Sequence, residues 1–438
     1  MTNKIREDIV ENQLAGQESY QYLSPELKNK IEWFKNQKIG VIFHWGLYSQ
    51  AGIVESWQLS EEDNWARKKG AWRSDLKTLR KDYWNLNKVF NPINFNPDEW
   101  AKKSKLAGFR YMLFTTKHHD GFNMYDTNYS EYKITSPNSK FSENKKSDIF
   151  KDIVEAFRKQ NISVGAYYSK PDWHSYNYWE KDSFPKGRYA SYDPKEKPEK
   201  WDAFNNYVTN QLEEICNNYG PIDILWLDGG WVNSQNNELL NMPDIAKKVR
   251  KINPKTLIVD RTIGGEFENY VTPERKVPNV VPKKAWESNI PIAKNWGYVP
   301  NDVFKPFNEI LDSLVRVITL GGNVILGIGP KPDGNLPLEA ENIMQKLGEW
   351  LNIFGEAVYN SRPDSHRKYN GLNLTVVQNK CYLFYHSDMV GNKVDLNKLS
   401  LMNHEVSLLE NKKLLDIKNG FLVLPPTSFD YSVIKFKK

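Results

Sequence analysis

The stretch GFRYMLFTTKHHDGF, residues 108–122, takes an apolar segment directly into a lysine, two histidines and an aspartate. An apolar run that ends abruptly in polar side chains is typical of a parallel strand that is buried on both faces and opens onto a pocket at its carboxyl end. Five further runs of this kind follow the same pattern: KIGVIFHW (38–45), ISVGAYYS (162–169), IDILWLDGG (222–230), TLIVDRT (256–262) and NVILGIGP (323–330).

Helix-like segments separate these runs, for example DIFKDIVEAFRKQ at 148–160 and FNNYVTNQLEEICNNYG at 204–220. Strands that alternate with helices predict βαβ units and a parallel sheet with helices outside it. The six runs leave room for two more strands near residues 285 and 300. A chain with this many strands favours a closed TIM-like (β/α) barrel over an open sheet.

The pattern changes near residue 358, where short runs of alternating polarity such as KCYLFYHS and YSVIKFKK begin. Alternation of this kind is typical of antiparallel sheets with one buried face. The sequence therefore predicts an α/β protein with three parts. These are an N-terminal arm at 1–32, a catalytic (β/α) barrel at 33–357 and a C-terminal antiparallel β-sandwich at 358–438.

Composition and charge exclude several classes of protein. The net charge of +6 comes from 60 basic and 54 acidic residues that are scattered along the chain, so a nucleic-acid partner is not expected. The two cysteines, Cys216 and Cys381, lie far apart and outside any metal-binding spacing. The sequence contains no run of about eighteen apolar residues, so no membrane span is predicted. The start MTNKIREDIV shows no secretion signal, so the chain is cytoplasmic or, if a signal has been removed, periplasmic or secreted.

Polar side chains follow the predicted strands at their carboxyl ends, where a barrel of this type places its active site. They are His44, His118, His119, Tyr168, Asp228, Asp260 and Arg261. Asp228 is distinctive because two glycines follow it and leave the space above its carboxylate open. A carboxylate presented in this way suits a nucleophile, and the alternative is an aspartate that caps the next helix.

A retaining glycosidase needs a second carboxyl group about 5–5.5 Å from its nucleophile. Four glutamates beyond the fifth predicted strand are candidates: Glu266, Glu268, Glu274 and Glu287. Their distances from Asp228 are a tertiary property, so the residues alone leave this choice open.

These segments resemble the α-L-fucosidases of glycoside hydrolase family 29. The matching pieces occur in family order over about residues 33–335, and KHHDG is the most specific of them. They are WFKNQKIGVIFHWGLYS (33–49), TTKHHDGFNMYDTNYSEY (115–132), YYSKPDWH (167–174), LWLDGG (225–230), TPER (272–275), WESN…NWGY (286–298) and GGNVILGIGPKPDG (321–334).

The resemblance implies a retaining, exo-acting α-L-fucosidase that hydrolyses terminal α-L-fucosyl residues from oligo- or polysaccharides and needs no cofactor. The expected partner is a fucosylated glycan, with fucan- and fucoidan-type polysaccharides among the candidates. No feature of the sequence indicates an oligomeric state.

The resemblance also implies roles for individual residues. Asp228 would be the nucleophile and Glu274 of TPER the acid/base, with Glu287 as the alternative that other members use. The substrate-binding positions would be His44, Glu55, Trp57, His118, His119, Tyr168, Arg261 and Trp296. The Glu55-Ser56-Trp57 segment departs from the Glu-Trp-Tyr of many relatives, although Trp57 keeps its place. Lys117 and Asp120 are expected in structural ion pairs.

Three other functions compete with this interpretation. A metal-dependent hydrolase could use the histidines as ligands, but barrel metal sites favour His-x-His, which faces one way, over the His-His found here. A catalytically inactive sugar-binding relative would lack a carboxylate, whereas Asp228 and Glu274 are both present. A serine hydrolase would need a GxSxG elbow, which the sequence lacks.

Overall fold

A parallel seven-stranded sheet forms the centre of the computed structural model, which describes residues 18–68, 70–180, 184–364, 367 and 373–437. The strands pair in the order β5-β4-β3-β2-β1-β7-β6. They are β1 (Ile39–Phe43), β2 (Tyr111–Lys117), β3 (Ser163–Ser169), β4 (Ile224–Asp228), β5 (Leu257–Asp260), β6 (Glu287–Pro291) and β7 (Asn323–Ile328). With the helices around it, this sheet confirms the predicted TIM-like α/β fold.

All six apolar runs form strands, and β6 is the strand predicted near residue 285. The strand predicted near residue 300 is wrong. Pro300 and Asn301 lie in a turn, in which Asn301 has a φ of 58° and Asp302 N–H donates to the Val299 carbonyl. A proline and a left-handed residue are incompatible with a central strand.

An irregular segment closes the barrel between β5 and β6 instead. Glu268 pairs with Val259 of β5 in antiparallel fashion, and further along Val271 pairs in parallel with Trp286. Glu274 then pairs in parallel with Asn289 of β6. The segment therefore runs up the open side of the barrel and delivers Glu274 to its carboxyl-end rim.

Nine helices belong to the described part of the chain: α1 (Pro25–Gln37), α2 (Leu47–Ala51), α3 (Leu76–Tyr83), α4 (Pro97–Leu106), α5 (Ile149–Lys159), α6 (Pro198–Asn218), α7 (Met242–Ile252), α8 (Phe307–Thr319) and α9 (Leu338–Val358). None of these described helices combines the length and apolarity needed to span a membrane. Helix α5 illustrates why they form: Asp148 caps its first turn by accepting from Lys151 N–H, and Ile149, Ile153 and Phe157 bury one face.

The amino end of the barrel is covered by α1. Ser24 caps this helix, and Leu27, Ile31 and Phe34 are buried against the inward-facing residues of the strands. The Phe34 ring stacks on Tyr270 at a centroid distance of 4.1 Å. Of the predicted N-terminal arm, residues 1–17 lie outside the described residues, whereas 25–32 belong to this helix.

Two antiparallel sheets form the predicted C-terminal β-sandwich. One has the order β12-β15-β10-β9-β8 and the other β11-β14-β13. Their strands are β8 (Arg362–Pro363), β9 (Asn373–Val377), β10 (Lys380–His386), β11 (Lys393–Asp395), β12 (Glu405–Leu408), β13 (Ile417–Lys418), β14 (Phe421–Val423) and β15 (Tyr431–Lys437). Alternate residues of β10 serve different cores: Tyr382 and Phe384 join the core of the barrel, while Leu383 and Tyr385 join that of the sandwich.

Removal of the Phe34 ring should weaken the whole barrel, because α1 closes its amino end. We expect Phe34→Ala to lower the free energy of unfolding by about 3–5 kcal/mol in urea denaturation. The matched control is Lys28→Ala on the exposed face of the same helix, for which a change within about 0.5 kcal/mol is expected. Equal effects of the two substitutions would contradict the role of α1 as a packed closure.

Candidate active site

The carboxyl ends of the strands surround a cavity of about 810 Å³. Most of the predicted site residues line it: His44, Glu55, Trp57, His118, His119, Asp228, Arg261, Glu274 and Trp296. Ile42, Trp226 and Ile325 line its apolar part. A concave site with a few converging polar groups on an apolar base is typical of a small-molecule pocket.

Asp228 is the last residue of β4, and its carboxylate is held from two sides. Arg261 Nη1 donates to Oδ1 at 2.5 Å, and Tyr167 O–H donates to Oδ2 at 2.7 Å. Burial acts to raise the pKa of Asp228, but the Arg261 charge, helped by the Tyr167 hydrogen bond, outweighs it and holds the pKa well below its usual range. Asp228 is therefore ionised at neutral pH, as a nucleophile must be.

The turn after Asp228 requires glycine at position 229. Gly229 has a φ of 94°, in the left-handed region, and a Cβ there would lie 2.4 Å from Pro171 Cδ. The sequence had suggested that glycines leave open space above the carboxylate, and here the glycine also lets two strand ends approach each other closely.

Arg261 joins the two carboxylates of the site. While Nη1 contacts Asp228, Nη2 donates to Glu274 Oε2 at 3.2 Å, and Nε donates to Thr272 Oγ1 at 3.0 Å. The guanidinium lies over the Trp226 ring at 4.1 Å. Because one planar group contacts both carboxylates, their separation is limited to the width of a guanidinium and two hydrogen bonds.

Glu274 occupies the rim of the cavity. Its Oε1 accepts a hydrogen bond from Trp296 Nε1 at 3.1 Å, and its side chain is 38% exposed. A carboxyl group that is oriented by two donors and also reaches solvent can exchange protons with water. That combination is what an acid/base residue needs.

Three buried imidazoles form one wall of the cavity. His118 Nδ1 lies 2.6 Å from Ser56 Oγ and His119 Nδ1 lies 2.7 Å from Ser169 Oγ, while His44 packs against the His118 ring. Burial lowers the pKa of His44 and His118 well below the usual value and that of His119 to about 3. All three rings are therefore neutral near pH 7 and can donate and accept hydrogen bonds.

The adjacent histidines both face the cavity because the strand is ending there. The pairing of β2 with β3 shifts register between Thr115 and Lys117, and β2 stops at Lys117. Beyond this irregularity the alternation of a regular strand no longer applies. Lys117 itself points away and forms a buried ion pair with Asp172 at 3.1 Å, while Asp120 accepts from Tyr83 O–H at 2.5 Å.

The prediction of Tyr168 as a cavity residue is wrong, and its neighbour Tyr167 takes that place. Tyr168 O–H donates to Gln211 Oε1 at 2.7 Å on the opposite face of β3, away from the cavity. The pairing of Tyr167 with Trp226 puts it on the same face as Asp228. The choice between the two tyrosines depends on the register of β3 against β4, which the sequence alone does not specify.

Glu55 supports the opposite rim rather than presenting a free carboxylate. Its backbone adopts a φ of 37°, and Oε1 accepts from the N–H groups of Trp296 at 2.9 Å and Gly297 at 2.8 Å. Burial raises the pKa of Glu55 to about 7.

The nearby Trp57 indole faces His119. Two further tryptophans that the sequence analysis did not identify, Trp65 and Trp231, also line the cavity.

Among the described residues, no group of three His, Cys, Asp or Glu side chains has an arrangement that could hold a metal ion. The histidines instead contact serines, tyrosines and tryptophans.

The profile of the family described as Alpha-L-fucosidase matches residues 9–356. Human tissue alpha-L-fucosidase is 31% identical over 358 residues, which are 76% of this chain and 69% of the human protein. The chain belongs to the alpha-L-fucosidase family. The predicted α-L-fucosidase activity is thereby confirmed, and the structural comparisons agree with it.

Alpha-L-fucosidase isoenzyme 1 from Paenibacillus thiaminolyticus has a TM-score of 0.77 at 25% identity and covers 94% of this chain and 99% of its own. An alpha-L-fucosidase from Bacteroides thetaiotaomicron, solved as a trapped covalent intermediate with 2-fluoro-fucosyl fluoride, has a TM-score of 0.71. At 21% identity over 97% of this chain and 98% of its own, it shows the shared fold.

The fucosidase fold buries Glu287, the alternative acid/base, below the cavity. Its Oε2 accepts from Tyr111 O–H at 2.5 Å, its side chain does not line the cavity, and the residue is inaccessible to solvent. Burial raises its pKa to about 7. Glu287 therefore lies outside the cavity, whereas Glu274 lines it.

The raised pKa of Glu287 predicts a specific pH dependence of stability. The folded protein holds the Glu287 proton more tightly than the unfolded chain, so the free energy of unfolding falls as the pH rises from about 4.5 to about 7. Across this pH interval, we expect the free energy of unfolding of Glu287→Gln to increase by up to roughly 3 kcal/mol relative to that of wild type. Urea denaturation of both proteins at several pH values measures it, and a pH-independent difference would contradict the assignment.

Proposed function

We propose that this fucosidase hydrolyses terminal α-L-fucosyl residues with retention of configuration, with Asp228 as nucleophile and Glu274 as acid/base. One observation carries the assignment: the Arg261 guanidinium contacts both carboxylates. Retaining glycosidases need their two carboxyl groups close together, because one of them attacks the sugar directly and no water lies between them.

In the first step, an Asp228 oxygen attacks the anomeric carbon of the fucosyl residue. The bond from that carbon to the leaving-group oxygen breaks, and Glu274 transfers its proton to this oxygen. In the second step, Glu274 takes a proton from water as the water oxygen attacks the same carbon and the ester to Asp228 breaks. Two inversions give net retention.

Arg261 links the charge states of the two carboxylates through the cycle. Before the attack, its positive charge is balanced by the Asp228 carboxylate. Once Asp228 has become an ester, the guanidinium faces Glu274 alone and stabilises the carboxylate form that the second step requires. The three neutral histidines and the Trp57 and Trp296 rings are available to bind the hydroxyls and the apolar face of fucose.

Azide rescue should distinguish the two carboxylates by the stereochemistry of the product. In Asp228→Gly, turnover of an aryl α-L-fucoside should fall by several orders of magnitude, and azide should occupy the nucleophile's place and give a β-fucosyl azide. In Glu274→Ala, the fucosyl-enzyme still forms from a substrate with a good leaving group, so azide should give the α-fucosyl azide. Proton NMR of the products identifies the anomer.

Glu287→Ala is the control for this experiment, because it removes a carboxylate that does not line the cavity. It should give no fucosyl azide, and wild-type enzyme should release α-fucose first. If Glu287→Ala were rescued and Glu274→Ala were not, the acid/base assignment would be reversed.

We further propose that the glycan substrate carries negative charge beyond the fucosyl residue, as sulfated fucan- and fucoidan-type polysaccharides do. Three basic residues, Arg275, Lys276 and Lys294, line the outer part of the cavity next to Glu274. Trp65, which also lines the cavity, presents an indole that is 41% exposed and can stack on a sugar ring. The cavity of about 810 Å³ also has room for more than one sugar.

Neutralising this rim should weaken binding of charged substrates only. For Lys276→Gln combined with Lys294→Gln, we expect KM for a sulfated fuco-oligosaccharide to rise about two- to tenfold at low salt. KM for the desulfated oligosaccharide should stay unchanged. Lys283→Gln, an exposed lysine outside the cavity, is the matched control. An equal rise for both substrates would rule out recognition of charge.

A further inference from the structure

The two ring nitrogens of His119 have different surroundings. Nδ1 lies 2.7 Å from Ser169 Oγ. Nε2 is buried without a hydrogen-bond partner among the described residues, 3.9 Å from Asp228 Oδ2. The Trp57 and Trp231 rings pack against the imidazole at centroid distances of 4.9 Å each and keep it in this orientation.

The hydrogen bonds of Ser169 determine which His119 nitrogen carries the proton. A serine hydroxyl has a single proton, and that of Ser169 is donated to the Pro171 carbonyl at 2.6 Å. Because a carbonyl oxygen can only accept, the direction of this bond is set. Ser169 Oγ must therefore accept from His119, which places the imidazole proton on Nδ1 and leaves a lone pair on Nε2.

We propose that Ser169 is a positioning residue that holds His119 in its Nδ1–H tautomer, so that Nε2 accepts a hydrogen bond from a fucose hydroxyl beside the carbon that Asp228 attacks. This inference rests on the proposed function, because Asp228 is taken as the nucleophile. The hydroxyl nearest to that carbon is the one on C2, and its single proton would be donated to Nε2, which lies 3.9 Å from Asp228 Oδ2. Burial lowers the pKa of His119 to about 3, which keeps Nε2 unprotonated.

The arrangement has a consequence for specificity. A C2 oxygen that carries a sulfate or an acyl group has no proton to donate, and it would place an acceptor against the Nε2 lone pair. The enzyme should therefore reject fucose modified at C2. Any negative charge on the substrate then belongs on the leaving-group side, near the basic rim.

Ser56 provides a matched comparison within the same wall. Its hydroxyl lies 2.6 Å from His118 Nδ1 and has no second side-chain or backbone partner in the described part of the chain. It can therefore donate or accept, and it does not determine the tautomer of His118. Of these two serine hydroxyls, that of Ser169 alone donates to a carbonyl in the described part of the chain.

The tautomer can be read without any turnover, by long-range proton–nitrogen NMR of wild-type protein labelled with ¹⁵N-histidine. The His119 signals are assigned by their loss in His119→Gln. We expect a protonated Nδ1 and an unprotonated Nε2, with a shift of the proton towards Nε2 in Ser169→Ala and no change at His119 in Ser56→Ala. A proton on Nε2 in the wild type would overturn the proposal.

Kinetics with paired substrates separate this role from a general structural one. On an aryl α-L-fucoside, kcat/KM of Ser169→Ala should fall by about 10- to 100-fold, and Ser169→Thr, which keeps the hydroxyl, should recover part of it. On the 2-deoxy substrate, the loss should be at most about threefold, because no hydroxyl is mispaired. Equal losses on both substrates would overturn the proposal. A wild-type enzyme that cleaves neither substrate would instead refute the proposed function, while the NMR result would stand.

Discussion

One guanidinium in contact with two carboxylates is the constraint on which this active site depends. Arg261 is buried, and burial alone would lower its pKa, but Asp228 and Glu274 outweigh that effect and raise the pKa. Its charge is therefore permanent, and a buried permanent charge must be balanced. The catalytic proposal uses this necessity: as Asp228 loses its charge in the ester, Glu274 is the carboxylate left to balance the arginine.

The position of Arg261 follows from how the barrel closes. Regular strands run from β5 through β1 to β6, and the remaining side is bridged by a segment that pairs with β5 at Glu268 and with β6 at Glu274. This segment also supplies Thr272, which accepts from Arg261 Nε. Thr272 and Glu274 are two residues apart, the spacing of residues on one face of an extended chain, so both side chains reach the same guanidinium.

Neutral polar groups complete the site, and burial is what keeps them neutral. The histidines of the cavity wall have little access to water, so their uncharged forms are favoured and they can bind hydroxyls. Glu55 shows the same physics in a carboxyl group, which is buried and accepts hydrogen bonds from the backbone N–H groups of Trp296 and Gly297. An unsubstituted fucosyl residue carries no charge, and a wall of uncharged donors and acceptors is a suitable complement to it.

Features that depend on local pattern were predictable from the sequence. All six apolar runs form strands. The polar residues at the ends of these runs include Asp228, Arg261 and the histidine pair, which line the cavity. The resemblance of the KHHDG, LWLDGG and TPER segments led to the family. Strand ends and strand composition are properties of a few consecutive residues, so they can be predicted without knowing which strands lie next to each other.

Tertiary structure alone decided the rest. Tyr167 rather than Tyr168 reaches Asp228, because the register of β3 against β4 selects the inward face. Glu274 rather than Glu287 reaches the cavity, because one lies on the segment that climbs to the rim and the other at the buried start of β6. The tautomer of His119 depends on a carbonyl 52 residues further along the chain. Each of these outcomes is set by which backbones become neighbours, and the order of residues along the chain does not specify that by itself.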